Sequence, residues 1–178
     1  MRFALAGLAC VLAQVASPAI AAPAADIVGK SVLVSWTENR QMVRGGQTVN
    51  ATLSFDLRMY VSSVGRPFTR LTLASGRGSA ANEQVGNSGT ALGGGVRAIS
   101  VNGHMIVFQA IIGNYARNLR VELAPGGSSC SAQMVVGKEV GSAPKAFQSA
   151  VTGEMTEIHA LTVNGVSCAV QEGNVFAN

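Results

Sequence analysis

Between Ala51 and Val61 the chain alternates without a break, with Leu53, Phe55, Leu57, Met59 and Val61 on one side and Thr52, Ser54, Asp56, Arg58 and Tyr60 on the other. Successive side chains of a strand point to opposite faces, so this segment predicts a strand with one face in a core and one in water. Shorter patterns of the same kind predict strands at 30–38, 68–73, 96–101, 104–112, 118–123, 130–136, 156–163 and 166–171. Turn residues separate most of them, including Pro125, Gly126 and Gly127.

Two segments break the pattern. Residues 142–151 offer Ser142 as a cap, Pro144 in the first turn and helix-tolerant residues up to Gly153, which predicts one short helix near 142–151. Residues 74–95 carry seven glycines, few large apolar side chains and no alternation. This stretch is read as a flexible glycine-rich loop with little to bury.

The words Ala98-Ile-Ser-Val-Asn-Gly103 and Ala160-Leu-Thr-Val-Asn-Gly165 repeat one another. Asn-Gly between alternating runs is the strongest short-range hairpin signal, because a type I′ turn needs positive φ at both central residues. Asn102-Gly103 and Asn164-Gly165 are therefore predicted as two hairpin tips. Such tips would set Val101 opposite His104, Ile99 opposite Ile106, and Leu161 opposite Cys168. In the second hairpin His159, Leu161, Val163, Val166, Cys168 and Val170 would then share a face. The first is apolar on both sides, with Met105, Val107 and Ile111 opposite Ile99, Val101, Ile106 and Phe108. No fixed period recurs elsewhere, so the echo is read as reused turn geometry rather than duplication.

Composition adds a compartment. Arg2, an apolar run from Phe3 to Val15 and the small-residue site Ala19-Ile20-Ala21 form a secretory signal over 1–21, with cleavage expected after Ala21 and a single domain over 22–178. The run is too short for a membrane span, which needs about 20 residues. An exported chain meets an oxidising environment, and outside the signal only Cys130 and Cys168 remain. A disulfide between them is expected, closing a loop of roughly 40 residues and contributing roughly 4 kcal/mol. The expected location is periplasmic or extracellular.

Charge is mild, with 13 Lys and Arg against 9 Asp and Glu. It is unevenly spread: Arg40, Arg44, Arg58, Arg66, Arg70 and Arg77 lie in one stretch with Asp56 as the sole acid. Such asymmetry attracts an anionic partner. Nucleic acid is not expected, because basic residues are not interleaved with stacking aromatics. An outer-membrane barrel lacks its aromatic girdles here.

Catalytic signals are weak. His104 and His159, the 2 histidines, share no metal-ligand spacing, and no metal or other cofactor is expected. Gly29-Lys30-Ser31 lacks the upstream glycine of a phosphate loop, since Ala24 stands there. Ser142 and Lys145 match a Ser-x-x-Lys spacing without its companion motifs, and Ser142 already serves as the helix cap.

The pattern therefore predicts an all-β antiparallel barrel or two-sheet sandwich of about eight to nine strands, with no enzymatic activity. Its function is expected to be binding of a small amphipathic or anionic ligand. The candidate contacts are Arg70, just before the long loop, Arg77, near its start, and His104 at the first hairpin tip. The alternative is a structural or protein-contact domain using an exposed sheet edge or the two-sided apolar hairpin.

Overall fold

A computed structural model describes residues 22–63, 67–77, 87–88, 96–138, 146–148 and 153–177. Residues 1–21, the expected signal segment, lie outside the described residues. Ten strands follow a 3-10 turn at Ala25–Ile27: β1 Lys30–Arg44, β2 Gln47–Val61, β3 Pro67–Arg77, β4 Asn87–Ser88, β5 Val96–Asn102, β6 Met105–Ile112, β7 Tyr115–Leu123, β8 Cys130–Lys138, β9 Phe147–Gln148 and β10 Met155–Glu172.

All pairings within the sheets are antiparallel. One sheet has the order β4-β3-β2-β1-β10-β9 and the other the order β5-β6-β7-β8; one of the two forms a half-barrel, and both contribute to a common core. The sheets approach along two seams, β10 beside β8 and β3 beside β5. The alternation in β2 is realised as read: Leu53, Phe55, Leu57, Met59 and Val61 are buried in the core. Against them pack Val32, Val34 and Trp36 from β1 and Val101, Ile106, Phe108, Leu119 and Val121 from the smaller sheet. Each fully buried aliphatic or phenyl side chain contributes about 1.5–3 kcal/mol.

Glycine geometry explains where the hairpin expectations need correcting. Gly45 and Gly46 both have positive φ (54° and 78°) and join β1 to β2 with Arg44 opposite Gln47. This is a two-residue loop of type I′ character, built on Gly-Gly. At the first Asn-Gly, Asn102 instead pairs with Met105, and the loop residues are Gly103 (φ 56°) and His104. Asn102 keeps a negative φ because glycine in the first central position supplies the II′ geometry. The loop is centred one residue later, so each partner is shifted by two residues from the I′ expectation: Val101 faces Ile106 and Ile99 faces Phe108.

The second Asn-Gly is no turn. β10 runs straight through it, with Asn164 opposite Thr37 and Ser167 opposite Ser35. Gly165 and Val166 thus face Trp36 alone, and Gly165 takes φ 62° as the left-handed residue of a bulge. β1 offers 15 residues of pairing edge, and a bulge keeps that ladder where a turn would end it. Leu161, Val163, Val166, Cys168 and Val170 do share the inward side. His159 leaves it, because a second irregularity, with Gln41 opposite Ala160 and Met42 opposite Ile158, makes His159 an extra, exposed residue.

The predicted helix near 142–151 is not formed where that segment is described. Phe147–Gln148 pairs with Thr156 and Met155 as β9, and Phe147 packs against the core. Two turns of helix have little stability alone, so burial of one phenyl ring and pairing with a long strand outweigh propensity. Residues 142–145 and 149–151 lie outside the described residues. The predicted loop 74–95 also begins later than expected: β3 continues to Arg77, pairing with β2 past an irregularity at Ala74, and Asn87–Ser88 adds the short edge β4. Its remaining residues lie outside the described ones.

Cys130 and Cys168 form a disulfide, with Cα atoms 6.0 Å apart, joining β8 to β10 across a seam that carries no ladder among the described residues. Replacing Cys168 by Ser is expected to lower unfolding stability by about 2–5 kcal/mol. Urea denaturation of the oxidised protein beside the variant checks this, and two alkylatable thiols in the unreduced, denatured protein would contradict the bridge.

Candidate functional site

Two arrangements of charge stand out, one inside the fold and one on its surface. Inside, the inward face of β1 continues beyond the apolar run as Trp36, Glu38, Arg40, Met42 and Arg44, all buried. Glu38 is fully buried and gathers three donors: Trp36 Nε1 at 2.9 Å, Arg40 Nε at 2.8 Å and Arg117 Nη2 at 2.7 Å. The Arg40 and Arg117 guanidinium groups lie 5.2 and 5.9 Å from the centroid of Phe55, whose ring stacks on Trp36. Nearby, Arg44 Nε donates to Thr156 Oγ1, and the Tyr115 hydroxyl donates to the His159 carbonyl left bare by the irregularity in β10.

Burial alone would raise the Glu38 pKa, but the charges of Arg117 and Arg40 and the hydrogen bonds from Arg117 and Trp36 outweigh it and hold the carboxyl at about 2. A carboxylate so sealed and so firmly ionised suits a fixed counter-ion, not a group that exchanges protons with a substrate. Sequence reading missed this cluster because Glu38 and Arg40 interrupt the apolar alternation of β1. The usable signal was the unchanged period of two from Trp36 to Arg44.

On the outward face of the larger sheet, Arg58 of β2 stands directly opposite Arg70 of β3. Like charges facing each other across a strand pair are unfavourable. Neither forms an ion pair among the described residues. Aromatic groups surround them: Tyr60 stacks on Phe68 at 6.4 Å, Phe68 is 48% exposed, and the Phe176 ring lies 5.4 Å from the Arg70 guanidinium carbon. A depression of about 260 Å³ adjoins Arg58 and is lined by Leu33, Ser35, Asp56, Ser167 and Ala169. Two guanidinium groups, one carboxylate, hydroxyls and apolar groups thus meet on one open face. A larger depression, about 440 Å³, lies further along the same sheet among Asn39, Gln41, Asn50, Thr52 and Thr162, where no exposed side chain is charged.

The candidate contacts read from sequence do not come together. Arg70 belongs to the surface patch. Arg77 lies at the far end of β3, its backbone paired with Thr52. His104 sits at the opposite end of the molecule from Arg77, in the β5–β6 loop, with its ring nitrogen 2.9 Å from the Asp26 carboxylate. Asp26 also accepts from the Gly126 amide, and the bonds from His104 and then Gly126 hold its carboxyl below the ordinary value. His104 therefore anchors the amino-terminal segment, whose Ile27 is fully buried. Arg58 was visible as an outward residue of the clearest strand; only its pairing with Arg70 makes it a site residue. Among the described residues no group of three or more His, Cys, Asp or Glu side chains could hold a metal ion.

Glu38 should dominate the acid limb of stability. Its folded pKa lies below the ordinary 4.5, so its contribution is complete above that value and is lost as pH falls toward about 2. That shift corresponds to about 3 kcal/mol. Glu38→Gln should cost about 3–5 kcal/mol at neutral pH, because it leaves two buried guanidinium groups facing a neutral amide. In unfolding measurements across pH, the variant should also lack the loss of stability expected of the wild type as pH falls from 4.5 toward about 2. No protein-family model, no curated protein and no solved structure matches the chain, so the reading of its site rests on the geometry of the chain's own residues.

Proposed function

We propose that this protein is an exported, non-catalytic binding domain that takes a small anion with an apolar body on the outward face of its larger sheet. The observation that carries the reading is the cross-strand pair Arg58 and Arg70, two exposed guanidinium groups held opposite one another, neither in an ion pair among the described residues. An oxyanion shared by the two would convert a repulsion into two charge-assisted contacts. Leu33 and Ala169, in register beside Arg58, offer an apolar surface for the rest of the ligand. The buried side chains that line the inward faces of both sheets support a surface site over one between the sheets. Export is supported by the signal-like residues 1–21 together with the Cys130–Cys168 bridge. No helix among the described residues is long and apolar enough to cross a membrane.

A protein contact is the second reading, favoured by Val135 on the outward face of β8, a large apolar side chain that is 66% exposed. Sedimentation of the protein alone over a wide concentration range, as wild type and as Val135→Lys, separates self-association through that strand from a monomer.

The anion reading is tested with 8-anilinonaphthalene-1-sulfonate as a fluorescent probe. Arg58→Ala/Arg70→Ala should weaken its binding by about tenfold or more, the effect of losing two contacts to a charged group. Arg120→Ala, on the other sheet where Arg120 pairs with Glu122, should bind as wild type does. Added salt should weaken binding to the wild type more than to the double variant. Removing two like charges from an exposed strand pair should not unfold the protein, so unchanged affinity in the double variant contradicts the reading.

A further inference from the structure

The last described residues form a built turn, not a trailing end. Gly173, at φ 80°, turns the chain out of β10. Fully buried Ser31 then holds it from both sides: its hydroxyl donates to the Gly173 carbonyl at 2.6 Å and accepts from the Val175 amide at 3.1 Å. Asn174 closes the turn on itself, with Oδ1 accepting from the Phe176 amide and its carbonyl accepting from the Ala177 amide. Ser31 is opposite Tyr60 of β2, and Tyr60 is opposite Phe68 of β3. The turn therefore lies over the end of the outward face that carries Arg58 and Arg70, and it delivers one aromatic ring to one guanidinium group.

We infer that Phe176 is a positioning residue of the anion site: by stacking on Arg70 it holds the guanidinium edge toward the ligand and gives the site a preference for anions that carry an aromatic ring. This rests on the reading that Arg58 and Arg70 hold the anion. The chemistry of the two groups supports it. A ring over the flat face of a guanidinium uses its π-electrons and none of its five N–H donors, which lie in the plane and stay available to an oxyanion. Arg58, directly across the strand pair, would otherwise push Arg70 toward other rotamers. Phe176, Phe68 and Tyr60 also bring three aromatic rings to the patch, so a planar ligand finds stacking surfaces that an alkyl chain uses less well.

Displacement of 8-anilinonaphthalene-1-sulfonate by two competitors reads this directly: 1-naphthalenesulfonate, which is aromatic, and n-octyl sulfate, which is not. Phe176→Ala should weaken 1-naphthalenesulfonate by about two- to fivefold, the range of an exposed cation–π contact, and n-octyl sulfate by less. Phe176→Tyr should restore the aromatic preference, and Phe176→Leu, equally apolar but without a ring, should not. Wild-type competition in Phe176→Ala, or full rescue by Phe176→Leu, overturns the inference, the latter by reducing Phe176 to an apolar cover. Retention of both competitors by Arg58→Ala/Arg70→Ala overturns the anion site itself. Loss in that double variant with no effect of Phe176→Ala overturns only the role of Phe176.

Discussion

The structure depends on one buried carboxylate. Glu38 belongs to β1 of the larger sheet, and of its two guanidinium partners Arg40 comes from the same strand while Arg117 comes from β7 of the smaller one. The two sheets meet mainly through side chains, so little in their backbones specifies how one is set against the other. An ion pair across the interior does specify it, because a shift that separates Arg117 from Glu38 leaves charge stranded in a medium that solvates it poorly. Trp36 and Phe55 share this duty by stacking beside the carboxylate and under both guanidinium groups.

Around that centre the fold is closed by local devices. The disulfide ties β8 to β10 where no ladder joins them. At one end, the 3-10 turn inserts Ile27 beneath the sheets, while Asp26 binds His104 and the Gly126 amide, and Lys30 binds Glu172 and the Gly126 carbonyl. Gly127 sits against the Asp26 carbonyl and the Lys30 side chain, where an added Cβ would lie 2.9 Å from that oxygen. At the same end Ser31 captures the turn after β10. Both described chain ends are thus held by specific hydrogen bonds.

This division of labour bears on function. With the buried positions taken by large side chains and by the ion cluster around Glu38, the exposed charged groups among the described residues are those that face outward. Arg58 and Arg70 stand opposite one another on that outward face, with hydroxyl, aromatic and apolar groups around them; on the proposed reading, a bound anion would relieve their mutual repulsion.

The unbroken alternation from Leu53 to Val61 determined β2 and its buried face, and the eight other alternating runs located the remaining long strands, because period-two patterning is a local consequence of backbone geometry. The cysteine pairing was legible for a similar reason: outside the signal-like segment two cysteines can pair in one way. Tertiary structure decided the rest. The same dipeptide became a hairpin tip at Gly103 and a bulge at Gly165, since both need a left-handed glycine and only the length of the neighbouring strand selects between them. Phe147 became strand because a core position and the edge of β10 were in reach. Glu38 and Arg40 looked like the end of β1, yet they lie inside because Arg117, distant in sequence, is brought to meet them. Arg70 was visible as an isolated basic residue, but its partners Arg58 and Phe176 come from pairing across strands and from the turn after β10, and proximity between residues far apart in the chain is a property of the folded molecule alone.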